Sequence, residues 1–490
     1  MNELSFSPSR RQFLSYAGAA LAAASPAAAA GEAKSSRPKK VVVAGGGIGG
    51  LCCAFELIER GHDVTVLEAS GRAGGHVRTI HDPLADGLYA DVGAEHFTKP
   101  GYDQYWKYVH KFKLPYLRYR RREHEQQQID GRWYTGEQLR DRKVLQSFGF
   151  NPREVDFVAQ RGLPELVRLY LEPYLDAIQD EYQPFGVGLD KLDQETLGQV
   201  LEKAKASDAA FRFCHARRGD GQRAAPAAGV SALYMIWQAA IRRHRRLAEY
   251  PLDVFRLRGG NQVLPDTFAA RLGTRLRLGC PVTSIEHGQS GVTAHYTEFG
   301  DKISLQAEYL VCAVPMGKLK DLPVEPAWPQ EKAYVIRNVV FSTQSRIVFQ
   351  CRSPFWKDDL PSANVSFGEA GLGDIWHSAD EVPGERAILL GTVHGQATAA
   401  AALAVLNKRY PGTNRPTVEQ TLVHNWASDP WSAWCERLPY PPGQLHRFWP
   451  HVLTPVGRIH FVGCNADNMN WGMDAATRSA NRVAEAVDKA

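Results

Sequence analysis

Apolar and polar positions are patterned most clearly between residues 39 and 69. Val41 to Ala44 is a short, uninterrupted, β-branched run, which predicts a strand buried on both faces of a parallel sheet. From Leu51 to Arg60 the apolar residues return at helical spacing, Gly61 ends the helix, and "DVTVLE" (Asp63 to Glu68) predicts the next strand. A second region of pattern follows Gly259 and Gly260: a helix, a strand pair around Val282, and a strand running to Pro315. A third closes the chain, with a strand from Arg458 to Val462, a turn at Gly463, and a terminal helix beginning near Met473. The stretch between residues 101 and 250 carries no placeable motif, and "ARRGDGQRAAPAAG" within it reads as a flexible loop.

Composition narrows the class. A chain of 490 residues exceeds what one hydrophobic core supports, so two or more intertwined domains are expected. A net charge of +5 is small for this length, and the basic runs Arg118 to Arg122 and Arg242 to Arg246 sit in no nucleic-acid motif, so they read as solvated faces and no nucleic-acid partner is expected. Nothing has the spacing of a metal site or a disulfide framework, and Cys52 and Cys53 are neighbours in a predicted helix. Residues 1–30 are set apart: Arg10 and Arg11 precede Phe13 and Leu14, then an alanine-rich apolar stretch, then Ala28 to Ala30. That is the pattern of a twin-arginine export signal with its cleavage site, and it predicts a folded, periplasmic protein. No run of roughly 20 apolar residues follows, so no integral membrane segment is expected.

Chemistry enters with "AGGGIGG". Gly45, Gly47 and Gly50 form GxGxxG between the first strand and its helix. The first glycine makes a tight turn, the second lets backbone approach a pyrophosphate, and the third lets helix pack against strand. Ile48 lies within this loop as a further cofactor-binding candidate, the unpaired N–H groups at the N-terminus of the following helix attract phosphate, and Glu68, about 20 residues on, is placed to accept hydrogen bonds from a ribose. A dinucleotide site follows; NAD or FAD is left open by these residues.

What comes next resembles the flavin-containing amine oxidases. "SGRAGGHVRT" follows Glu68 and Ala69, with Arg72, Gly74, Gly75, Arg78 and Thr79 matching that family and His76 standing where it usually has arginine; "GLYADVGAEHF" follows as a strand ending in Gly-Ala. The blocks around Val282 and from Thr454 to the C-terminus continue the likeness. The resemblance implies an α/β fold: a Rossmann-like FAD-binding domain built from separated segments (38–100, 250–320 and 446–490), with an α+β substrate-binding domain from 101–249 and 321–445. Gly463 and Met473 would present the terminal helix to the flavin ring.

The resemblance also implies the site. "WASDPWSAWCERLPYPPG" (Trp426 to Gly443) aligns without gaps on the segment by which monoamine oxidases reach their flavin. Trp426 matches the tryptophan that leans on the ring, and Cys435 the cysteine joined to its 8α carbon, so Cys435 is the candidate for a thioether to FAD; packing beside the ring is the alternative. Three positions depart from the family. Glu436 replaces one ring of the aromatic pair that flanks the amine, and the other falls near Trp471; Arg346 stands for the lysine that holds a water at the flavin N5; His96 takes the place of the arginine that binds the carboxylate of α-amino acids. An amine is therefore the expected substrate, its C–H delivering hydride to flavin N5 to give an imine and then an aldehyde or ketone. Arg346, His96, Glu436 and Trp471 are the candidate catalytic residues, and dioxygen or a periplasmic acceptor the expected oxidant. A desaturase or porphyrinogen-oxidase-like enzyme, or a flavin-binding relative without activity, are the alternatives. The particular amine and the oligomeric state are not legible.

Overall fold

The computed structural model describes residues 35, 37–216, 229–247, 252–343, 345–357, 364–367, 371–393, 398–410, 418–433, 437–469 and 472–490. The expected export signal and the core of the "ARRGDGQRAAPAAG" stretch lie outside these residues.

The motif-bearing segments meet in one five-stranded parallel sheet. Its strands are β1 (Lys40–Ala44), β2 (Asp63–Leu67), β3 (Leu276–Arg277), β4 (Tyr309–Cys312) and β5 (Ile459–Phe461), in the order β3-β2-β1-β4-β5. β1 and β4 are buried almost throughout because helices cover one face, over Val41, Val43 and Val311, and an antiparallel sheet covers the other, over Val42, Ala44, Leu310 and Cys312. Helix α1 (Ile48–Glu59) crosses from β1 to β2, and the terminal helix α2 (Gly472–Lys489) packs on it. The two approach closely: a Cβ at Gly49 would stand 3.5 Å from Ala476 O. The apolar faces of α1 and α2 share one core cluster with Phe97, Tyr105, Tyr108 and Phe268.

A four-stranded sheet that includes Val282–His287 flanks this unit, its hairpin partner Val292–Glu298 in antiparallel register. Opposite lies a seven-stranded, largely antiparallel sheet, in which Ser345–Cys351 is paired with Ala387–Val393 and Val418–Asn425. That register sets Arg346 between Thr392 and His424. The region 101–250 is mainly short helices, two of them started by full capping boxes at Asn151 and Thr196.

The basic runs are not simply solvated faces. Arg118 and Arg120 keep side chains 65% and 76% exposed, whereas Arg121 is 11% exposed and paired with Glu95. In the second run Arg243 pairs with Asp176 and Arg245 with Glu181. The short 3-10 turn over Arg120–Arg122 rotates Arg121 inward while Arg120 remains in water.

Candidate functional site

The glycine loop is tightly determined. Gly45 has φ +108°, and a Cβ at Gly50 would fall 2.1 Å from Gly45 O, so only glycine fits there. Gly47 caps α1 without any side-chain cap, leaving the first-turn N–H groups to a ligand. Around Gly47 there is room: a Cβ would find its nearest neighbour, Gly75 Cα, only at 4.0 Å. Glu68 closes the loop from the end of β2, accepting from Gly46 N–H at 2.6 Å through Oε2 and from Ser70 N–H at 2.8 Å through Oε1.

From this loop a cavity of about 1010 Å3 runs through the molecule. Gly45, Gly47, Ile48, Gly50, Glu68, Ala69, Gly75, His76, Val282, Gly463 and Met473 line it, as do His96 and Arg346. A cavity of this size, lined both by a bare helix N-terminus and by charged side chains, fits a dinucleotide. Arg72 and Trp426 sit behind its wall. Arg72 Nη2 donates to Gly75 O at 2.5 Å and knots the loop, while Trp426 is fully buried and donates from Nε1 to Val92 O at 2.7 Å. Cys435, Glu436 and Trp471 lie outside the described residues.

His76 stacks on Trp426 with ring centroids 4.0 Å apart, and its Nδ1 lies 3.3 Å from Ser432 O. Burial pushes its pKa down to about 4, and the nearby Arg346 and Arg72 guanidiniums act in the same direction against the Ser432 carbonyl. The imidazole in the family's arginine position is therefore neutral.

The far wall holds residues that sequence reasoning passed over. His96 Nδ1 is 3.2 Å from Glu95 Oε1, which also pairs with Arg121 Nε at 2.9 Å. The Arg121 guanidinium lies 4.0 Å over the Trp376 ring, and that of Arg346 5.4 Å from the same ring. Burial would raise the Glu95 pKa, but Arg121, His96 and Arg346 outweigh it and hold the carboxyl at about 2. Glu95 adjoins His96 in "GAEHF" and could have been noticed; Arg121 and Trp376 are distant in sequence and carried no signal. Among the described residues no cluster of His, Cys, Asp and Glu could hold a metal, and no helix is long and apolar enough to cross a membrane.

Together the βαβ glycine loop, the through-going cavity and its charged inner wall define a dinucleotide-dependent oxidoreductase. A profile of the flavin containing amine oxidoreductases matches residues 48–488. The chain belongs to that family, and it is a flavin-dependent oxidase of the amine oxidase kind. It is similar to the putative L-amino-acid oxidase YobN of Bacillus subtilis, 24% identical over 465 residues covering 90% of this chain and 93% of that protein. It is also similar to an L-amino-acid oxidase of Bothrops pauloensis, 25% identical over 468 residues, covering 90% and 88%. Solved structures share the fold: wild-type putrescine oxidase bound to putrescine, with TM-score 0.75, 22% identity and coverage of 93% and 100%, and cyclohexylamine oxidase from Brevibacterium oxydans IH-35A, with TM-score 0.74, 21% identity and coverage of 92% and 99%.

Proposed function

We propose that this enzyme oxidises a small amine to an imine, which hydrolyses to an aldehyde or ketone, with hydrogen peroxide as the second product. The observation that carries this reading is the continuity of the cavity from the glycine loop to the His96 and Arg346 wall. FAD held in this cavity would supply the two-electron oxidation of the carbon next to nitrogen.

The chain's own residues position and balance charge. The open N-terminus of α1 holds the diphosphate, Gly463 and Met473 the ring end, and segments 38–100, 250–320 and 446–490 make up the FAD-binding domain. Neutral His76 packs Trp426 behind the ring without adding a buried charge. Arg346, with the planar fork of a guanidinium, would stabilise negative charge at the cofactor. His96, with Nδ1 against Glu95, accepts a proton from the arriving ammonium. Cys435 forms the thioether, Glu436 meets the amine, and Trp471 supplies the remaining aromatic wall. Residues 1–30 direct export to the periplasm by the twin-arginine route, where a periplasmic acceptor would replace oxygen if Arg346 blocks reoxidation.

Anaerobic mixing with a panel of amines, L-amino acids, a carotenoid and a porphyrinogen tests the reading. Amines should bleach the yellow colour, the carotenoid and porphyrinogen should leave it, and air should restore it with peroxide. Bleaching by the porphyrinogen alone would move the protein to another reaction class. Acid precipitation tests the tether: yellow supernatant means no covalent bond at Cys435. Size and N-terminal sequence of the secreted protein test export.

A further inference from the structure

The helix Ala232–His244 turns one face to the cavity, through Tyr234, Met235, Gln238, Ala239 and Arg242 at helical spacing. Gln238 is 7% exposed, and a carbonyl fixes the orientation of its amide: Nε2 donates to Asn468 O at 2.9 Å, a contact the amide oxygen could not make. That leaves Oε1. It makes no hydrogen bond with any described residue, yet it is not sealed in protein, for it keeps accessible surface on a side chain that lines the cavity. Arg242, one turn on, does not serve it; that guanidinium donates to Leu247 O at 3.1 Å. Met235 and Ala239 beside it, and Leu171 of the short helix Arg168–Leu171 packed on this one, make the wall here apolar. A single fixed acceptor in such a wall selects for a ligand that brings a donor, because an apolar group laid over it would strand the oxygen. The acceptor is also well placed. Asn468, which holds the amide, belongs to the loop between Gly463 and Met473, two residues that line the same cavity.

We propose that Gln238 is a substrate-binding residue, its Oε1 accepting an N–H of the amine. This deepens the amine-oxidation reading and rests on it. An N–H given to Oε1 fixes the direction of the nitrogen and leaves the lone pair of the neutral amine free for oxidation. Primary and secondary amines carry that N–H; a neutral tertiary amine does not, so the residue selects for the first two. Asn468 acts as a positioning residue through its carbonyl, holding the amide so that the oxygen, not the nitrogen, is offered to the ligand.

The test uses two ligands of one shape that differ in the donor alone. Aniline and toluene are both uncharged at pH 7, and neither has a hydrogen on a carbon next to nitrogen, so flavin reduction does not intervene. Binding of each to the flavin-loaded enzyme is followed by calorimetry and by perturbation of the flavin spectrum. The ratio of the toluene Kd to the aniline Kd should be about tenfold larger for the wild type than for Gln238→Leu, the penalty for stranding one buried neutral acceptor. A merely structural role for Gln238 would weaken both ligands alike and leave that ratio where it was. If Gln238→Leu does not fold, Gln238→Asn, which draws the amide back by one methylene, should lower the ratio about threefold. A ratio that moves by less than twofold in the variant that folds overturns the proposal. The outcome is separable from the oxidation reading: a Gln238-dependent ratio in an enzyme that no amine bleaches would sink the oxidation and keep the contact. Bleaching by amines with a ratio indifferent to Gln238 would do the reverse.

Discussion

The His76 ring lies on the Trp426 ring with an interplanar angle of 29°, and the His424 ring meets the same indole edge-on at 4.5 Å. Burial depresses both imidazoles, His76 to about 4 and His424 to about 3. The unfolded chain holds these groups near 6.5, so between the two values it binds more protons than the native state. Stability should therefore fall as pH drops from about 6.5 toward 4, by a few kcal/mol for the pair. Urea unfolding at pH 8, 6 and 4.5 should show this slope, and His76→Gln with His424→Gln should flatten it. An unchanged slope would mean that other groups carry the acid sensitivity.

Lys332 gives the opposite window. Its side chain is buried over the Phe461 ring, 3.8 Å from the centroid, with Nζ donating to His451 O. Burial lowers its pKa to about 7, with Arg482 acting the same way and Cys312 opposing. The unfolded lysine, near 10.5, takes up the extra proton, so the burial penalty is full below pH 7 and fades as pH rises toward 10.5. Lys332→Met should then gain stability relative to wild type at pH 6.5, and the gap should shrink by on the order of 2 kcal/mol by pH 10. Paired melting curves at the two pH values measure it.

Arg256 is 1% exposed, ion-paired with both Asp380 and Glu381, and 4.7 Å over the Tyr119 ring. Removing one member of such a buried set leaves charges uncompensated, typically costing 3–5 kcal/mol. Arg256→Met should lower the unfolding midpoint accordingly, whereas Arg386→Met, at a solvent-screened pair with Glu419 and Asp86, should shift it far less.

The glycine loop offers a spectroscopic test. With the Gly45 carbonyl 2.1 Å from where a Cβ would stand, Gly50→Ala should distort the turn and yield protein with little flavin absorbance. Gly71→Ala, which meets nothing within 4 Å, should purify with its full yellow colour. Equal colour in both would separate this loop from cofactor binding.

Much of the fold was legible because its signals are local. β1, α1 and β2 follow from a β-branched run, a helical period and a glycine stop, and each formed within a few residues of its expected ends. The strand to Pro315 and the strand from Arg458 shorten in the structure to Tyr309–Cys312 and Ile459–Phe461, because the ladder with β1 and β4 ends there. Of the expected site residues, those of the glycine loop and His96 and Arg346 line one cavity, whereas Arg72 and Trp426 support it from behind.

By itself the sequence determined the phosphate-binding turn, since GxGxxG encodes its backbone geometry in residues that touch one another along the chain. It also determined the family, through motifs kept in three separated blocks. Which arginine of "RYRRR" turns inward, and that it holds Glu95 against His96, was decided only by tertiary structure. Arg118, Arg120 and Arg121 are chemically identical side chains that differ in the direction the backbone points them, and burial energy, absent from any local pattern, makes the choice.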